Sequence, residues 1–330
     1  MRFPLNVYLP ALVGSFLVSL LTLPWWRGFC RRAGLVDDPG HRKIHDEPMP
    51  LAGGFSVLTG IVVPLLIGVA AMQWISTGAH AMNPLLIYGW NRRSAELASI
   101  VVGALVIMTV GALDDRFELR PAVKFGGQFL AALLVASAGA RITLFVPSAV
   151  FSYAVTILWI LTVINAFNFM DNMNGLCAGL GAVSAGVFAL NAALDGQYLV
   201  ALLGFLTCGA LVGFLPHNFP RATAFLGDTG SHLVGYLLAV MAILPHFYTR
   251  RHPRVWAVFI PLLILAVPLF DLAWVVVLRT RLGQPFYVGD NNHLSHRLVR
   301  KGWSKQNAVP LIWLLATVTG GLAVLLMRML

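Results

Sequence analysis

Residues 165–176, NAFNFMDNMNGL, place Asn165, Asn168, Asp171, Asn172 and Asn174 directly between two apolar runs. On a helix, Asn165, Asn168 and Asp171 or Asn172 recur at i, i+3 and i+6 or i+7 and share one face. Such a stripe offers oxygen ligands at the mouth of a hydrophobic helix. A polar interhelical seam or a helix cap would also put amides there. Asp114 and Asp115 close an earlier apolar run in GALDDRFELR. Adjacent carboxylates on a helix point about 100° apart, so these two are expected to do separate jobs rather than chelate one ligand. Pro121 suits a first helical turn and Lys124 follows one turn in. A helix N-terminus plus an ammonium makes an anion site, although a lysine there could also snorkel to an interface.

Residues 227–231 read GDTGS, in which Asp228 could cap the following helix or coordinate a metal. Together with Asn168 and Asp171 it forms a hard-oxygen set without a soft ligand. That favours Mg²⁺ over zinc, with Mn²⁺ as the alternative. Magnesium keeps waters and takes substrate phosphates, which implies a phosphorylated substrate. Arg42, Lys43 and His45, in DDPGHRKIHDEPMPLAGG, could hold a diphosphate from outside the metal or touch lipid headgroups. In HLSHRLVRKG, His293 and His296 stand at i and i+3, and Arg297 adds a phosphate fork; an ordinary polar loop would look similar. Asp271, in PLFD, is expected about 10 Å inside an apolar helix, a depth that requires a partner or a water path.

The elements that must position these groups are membrane helices. Of 330 residues 58% are hydrophobic and 11% charged, and mean hydropathy is +0.79, which excludes an ordinary soluble protein of this length. Ten apolar runs are spanning candidates: 5–26, 51–75, 97–113, 122–138, 150–164, 176–193, 199–215, 231–244, 255–278 and 308–327. The expected fold is therefore an all-α integral membrane protein, one polytopic domain over residues 1–330 with its active site in cytoplasmic loops. The first run reads as an anchor rather than a removable signal. Cys30, Cys177 and Cys208 fit neither a disulfide framework nor a zinc site. The net charge of +10 is scattered between apolar runs, so lipid headgroups and a phosphorylated substrate, not nucleic acid, are the expected partners.

Ten crossings sort the loops into two sets. One set, including Lys124, holds 15 of the 23 Lys and Arg residues and ten of the 13 acids, which makes it the cytoplasmic set. Arg250, Arg251 and Arg254 dissent from the opposite side. Acids do not set orientation, so their crowding on one face points to cation or phosphate handling there.

The order and wording of HRKIH, PLAGG, LDD, NAFNFMD, FLGDTGS and HLSHR resemble the polyprenyl-phosphate N-acetylhexosamine-1-phosphate transferases of glycosyltransferase family 4. The resemblance spans nearly the whole chain and is nearer the undecaprenyl-phosphate GlcNAc-1-phosphate branch. It implies transfer of a HexNAc-1-phosphate from a UDP-HexNAc to undecaprenyl phosphate, releasing UMP, at a cytoplasmic Mg²⁺ site in the cell's inner (plasma) membrane. This is the first step of a lipid-linked envelope glycan. Assembly as a homodimer stays open. By position, Asp114, Asp115, Lys124, Asp171, His293 and His296 are the implied catalytic residues, and Asn168, Asp171 and Asp228 the metal set. Arg42, Lys43, His45, Asn165, Asn172, Asn174 and Arg297 are the implied substrate contacts. The chain departs from the family's usual wording twice: Asn172 and Asn174 replace a glycine and an acid, and Ser295 replaces a histidine.

A phosphate monoester is already mostly dianionic at pH 7, its second pKa lying near 6. Asp114 or Asp115 is thus expected to orient Lys124, the acceptor or a metal-bound water rather than remove a proton, with a covalent aspartyl route left open. A MurNAc-pentapeptide phosphotransferase, a cation-coupled transporter and a non-catalytic scaffold are the competing readings.

Overall fold

Apolar runs too long for strands leave the backbone one way to satisfy its polar groups within a bilayer, which is the helix. The computed structural model describes residues 4–38, 48–76, 94–245, 247, 255–285, 287 and 290–329. Arg42, Lys43 and His45 lie outside the described residues, as do Arg250, Arg251 and Arg254. Among the described residues the helices are α1 (Leu5–Ala33), α2 (Gly53–Ser76), α3 (Ser94–Phe117), α4 (Pro121–Ser137), α5 (Ala149–Met170) and α6 (Leu176–Leu194). They continue as α7 (Tyr198–Phe214), α8 (Gly227–Ile243), α9 (Ile260–Ile264), α10 (Ala266–Arg281), α11 (Leu294–Arg300) and α12 (Lys305–Met329). Two short strands, β1 (Val36–Asp37) and β2 (Met49–Pro50), pair antiparallel with Val36 opposite Pro50.

The protein is an all-α, multi-pass membrane protein, and each of the ten candidate runs falls on helix. Among the described residues, seven helices are long and apolar enough to cross a membrane, or eight if one bent pair counts as a single span. At 17 residues, α4 and α8 fall short of the roughly 20 that a crossing needs, so helix lengths do not establish ten crossings.

Three boundaries differ from expectation. The run at 150–164 continues as helix to Met170, so Asn165 and Asn168 ride on its last turns while Asp171 occupies its C-cap and Asn172 follows in a turn. The expected one-face stripe is therefore only half helical. The helix expected at 231 begins at Gly227, because its first amides find a carboxylate acceptor on another helix. The run at 255–278 is bent by 77° at Leu265. Pro268 has no N–H, and its ring clashes with the carbonyl four residues back, at Ile264, where α9 ends.

At the centre lies α8, whose residues 227–242 are nearly all buried, packed among α2, α3, α5 and α6. Small residues permit the approach. A Cβ on Gly111 of α3 would come within 2.6 Å of the Thr229 Cα, and one on Gly235 would come within 2.6 Å of the Ile164 Cα. Close backbone contact of this kind supplies dispersion where lipid offers no hydrophobic drive between helices. The chain entering α8 is also tied to the start of α2: Phe225 N donates to Pro50 O at 3.0 Å, and Gly53 N to Phe225 O at 2.9 Å. Gly111→Ala is expected to force α3 from α8 and destabilise the fold by roughly 1–3 kcal/mol, the usual cost of overpacking. Thermal melting in detergent reads this, and an unchanged midpoint would contradict the close approach.

Candidate active site

Three consecutive residues at the end of α3 reach three different partners. Asp114 is buried; its Oδ1 accepts from Leu119 N at 2.8 Å and its Oδ2 pairs with the Lys124 ammonium of α4. Asp115 accepts from the first turn of α8: Asp228 N at 2.8 Å, Thr229 N at 3.0 Å and Thr229 Oγ1 at 2.5 Å. Arg116 turns the other way, donating from Nη1 to Ala33 O at 2.5 Å and lining an apolar cavity of about 550 Å³ with Leu105, Met108 and Phe55. The two aspartates do separate jobs, as their angular separation requires.

Because Asp115 caps α8 from outside, the Asp228 side chain is not used as a cap. Its Oδ1 accepts from Asn168 Nδ2 at 2.8 Å and its Oδ2 lies 3.3 Å from Lys124 Nζ. Asn168 Nδ2 also donates to Ser231 Oγ at 3.1 Å. Asp114, Lys124, Asp228 and Asn168 thus form one connected chain across α3, α4, α8 and α5. Asp171 stands beside it: burial, then the negative charges of Asp228 and Asp115, push its carboxyl up to about 8. Four carboxylates therefore share the neighbourhood of one ammonium, an excess of negative charge that a hard cation would relieve. Among the described residues, no three His, Cys, Asp or Glu side chains converge as a closed metal cage. A Mg²⁺ ion that keeps its waters and takes phosphate oxygens does not require one.

A second cluster lies on the other side of the central motif. Asp271, buried in α10, has the partner its depth demands: His293 Nδ1 at 2.7 Å, together with Leu294 N donating at 2.6 Å. A carboxylate accepting from Nδ1–H fixes the tautomer of His293 and leaves Nε2 for other work. The His293 and His296 rings lie 6.4 Å apart, and Arg297 stacks 4.5 Å over Trp274. Burial, with the nearby His293, Lys305 and Arg300, lowers the pKa of His296 and favours its neutral form at pH 7. Phe169 links the clusters, edge-on to His293 at 5.5 Å and under the Arg279 guanidinium at 4.9 Å. Arg279 is buried and paired with Asp290 at 3.0 Å, and neither residue stands out in sequence.

Two amides of the central motif face elsewhere. Asn165 donates to Gln128 Oε1 at 2.8 Å and to Leu161 O at 2.7 Å, the seam between α4 and α5. Asn174 Nδ2 reaches Pro220 O at 3.4 Å, next to Asn218, whose Oδ1 takes the Gly175 N–H at 2.6 Å. Gly175 has φ +76°, and a Cβ there would meet Phe219, so this turn requires glycine. Asn172 bonds to Ser295 at 2.6 Å, so these two departures from the family's wording touch each other.

The glycosyl transferase family 4 model matches residues 97–246, the stretch from α3 through α8 that carries the first cluster. The chain is 32% identical to a probable undecaprenyl-phosphate N-acetylglucosaminyl 1-phosphate transferase of Bacillus subtilis, over 93% of this chain and 82% of that protein. This chain belongs to glycosyl transferase family 4. It is also 33% identical to the decaprenyl-phosphate N-acetylglucosaminephosphotransferase of Mycolicibacterium smegmatis, over 92% of this chain and 79% of that one. Identity to the undecaprenyl-phosphate alpha-N-acetylglucosaminyl 1-phosphate transferase of Escherichia coli K12 is 28%, over 95% and 82%. The second cluster, built on α10 and α11, lies beyond the matched family segment but within the span of these relatives.

The division of labour at the end of α3 is testable by hydrogen exchange. Asp115→Ala removes a charged acceptor from two backbone amides and is expected to destabilise by roughly 2–4 kcal/mol, with faster exchange at Asp228 and Thr229. Asp114→Ala should leave those amides protected. Equal deprotection in both variants would show that the two carboxylates do not act separately.

Proposed function

We propose that this protein transfers GlcNAc-1-phosphate from UDP-GlcNAc to undecaprenyl phosphate, forming undecaprenyl-diphospho-GlcNAc and UMP. The site is assigned to the cytoplasmic face of the inner (plasma) membrane, and the divalent cation to Mg²⁺, with Mn²⁺ compatible with the same donors. The observation that carries this reading is the chain Asp114–Lys124–Asp228–Asn168 with Asp171 beside it, at one end of four helices. The names of the relatives support the polyprenyl phosphate acceptor and the GlcNAc donor. The crowding of basic loop residues on this side supports the cytoplasmic assignment.

Asp171 and Asp228, with the Asn168 amide, are the groups that would hold the cation. When bound, it would supply Lewis-acid charge stabilisation to the donor's diphosphate as UMP leaves. Lys124 is positioned by Asp114 and Asp228 as the fixed positive charge of the site. Asp115 acts through the placement of α8. His296 and Arg297 offer donors to phosphate oxygens, and His293 beside them is held in place by Asp271. The acceptor is already dianionic near pH 7, so no carboxylate is needed as a base. The transporter reading loses its motive, since the intramembrane Asp271 is satisfied by His293 and a backbone amide.

Membranes containing the protein, given UDP-[³H]GlcNAc, undecaprenyl phosphate and Mg²⁺, should yield an organic-extractable product and UMP, and EDTA should abolish both. Product formation that survives EDTA would remove the metal from this proposal. Asp114→Asn and Asp115→Asn should each lose about 100-fold or more without recovery up to pH 9.5, whereas recovery at high pH would support a general base. Asp171 provides the sign of a further dependence. A cation binds its carboxylate, and the carboxyl holds its proton up to about pH 8 in the absence of metal, so binding releases a proton. Apparent Mg²⁺ affinity should therefore rise up to about tenfold per unit as pH increases toward 8 and level off above it. Titration of activity against Mg²⁺ at several pH values measures this, and a flat profile would contradict it.

A further inference from the structure

The turn after α5 and the short helix α11 carry different parts of the site, Asp171 on one and His293 and His296 on the other. With only seven residues, α11 cannot hold itself in place and depends on external anchors. One is Asp271, which takes the Leu294 N–H and His293 Nδ1 and thereby ties α11 to α10, the segment beyond the 77° bend. Because α10 in turn packs against α5, this anchor reaches α5 only through a second helix. The ring of Phe169 meets His293, but an edge-on aromatic contact tolerates sliding.

A directional link is present one residue from Asp171. Asn172 Nδ2 donates to Phe169 O at 2.6 Å, satisfying a carbonyl left open at the end of α5. Its Oδ1 accepts from the hydroxyl of Ser295, which is fully buried, at 2.6 Å. The amide is therefore held on both sides, and Asp171 lies between the helix end and this clamp. Ser295 in turn sits between the two histidines, so the bond joins the segment bearing the carboxylate to the segment bearing the imidazoles.

We propose that Asn172 and Ser295 form a positioning pair that sets the distance and register between Asp171 and the His293–His296 element, so that the two sides of the diphosphate site move as one. Asn172, an implied substrate contact, has both ends of its amide engaged by Phe169 and Ser295, so the pair acts without touching substrate or metal. Its effect on turnover comes through alignment, where a misplacement of about 1 Å can cost about 100-fold.

The proposal rests on the transferase reading, so kinetics are measured with whichever UDP-sugar the wild-type protein turns over. Ser295→Ala and Asn172→Ala should each lower kcat by roughly 10- to 100-fold while KM for the donor changes less than about threefold. The double variant should fall no more than about threefold below the worse single, because both remove the same bond. Ser295→Thr, which keeps the hydroxyl, should retain more activity than Ser295→Ala. Losses that multiply in the double variant, or a raised KM at unchanged kcat, would overturn the pair. Exchange protection at residues 171–176 and 293–297 gives a readout that needs no substrate: both segments should lose protection in either single variant. Protection at the wild-type level in the segment across the broken bond would overturn the proposal even if no UDP-sugar is turned over, an outcome that would separately sink the transferase reading.

Discussion

A helix that starts inside a packed membrane bundle brings its first unpaired N–H groups into a place where water cannot reach them all. For α8 this constraint organises the site. Its N-terminal turn is buried against α2 and α3, and glycines at 54, 111 and 230 let the backbones meet. The open amides of Asp228 and Thr229 must be satisfied, and Asp115 does so from the end of α3. An anion is also the favourable charge at a helix N-terminus. With this arrangement, Asp228 is released from capping and turns its carboxylate toward Asn168 and Lys124. The same contact therefore stabilises the fold and orients the Asp228 carboxylate.

The electrostatics follow from that geometry. Bringing Asp114, Asp115, Asp171 and Asp228 to one end of the bundle is unfavourable unless positive charge arrives with them. Lys124 compensates in part, held between two of the four. Asp171 retains its proton toward pH 8 chiefly because it is buried, and further because Asp228 and Asp115 are negative. A hard cation, as proposed, would relieve the excess that Lys124 leaves.

Much of this was legible in the chain itself, since apolar runs of about 20 residues report helices reliably and the motif order reports which helix ends meet. What stayed hidden has a common cause. Asp115 and Thr229 are 114 residues apart, and Ser295 and Asn172 are 123 apart, so local periodicity carries no trace of either bond. The sequence pattern places the start of α8 late because its cap comes from another helix rather than from the residue before it. Asn165 looked like part of a ligand stripe, yet Gln128 claims it across a helix seam, a use of amides that spacing alone does not separate from ligation. Asp290 sits in an unremarkable polar loop and takes on significance only because Arg279, four turns along the bent segment, is buried within reach of it.

The device at α8 recurs at α11. Asp271 receives the first amide of that helix as well as the ring nitrogen of His293, just as Asp115 receives the first amides of α8 and the Thr229 hydroxyl. In both cases an aspartate on a long apolar helix caps a second helix in trans, and the capped helix opens with the polar residues of the site. A helix that caps itself must turn a first-turn side chain back on its own backbone. One capped from a neighbour can direct those side chains outward while its position is fixed by a charged hydrogen bond to a rigid element. Burying Asp271 without a partner would be prohibitive at that depth, so the carboxylate and the helix it anchors depend on each other. The site is consequently rigid where it joins the bundle. The turn at residues 171–175 and α11 then remain as the elements whose relative placement must be fixed by contacts of their own.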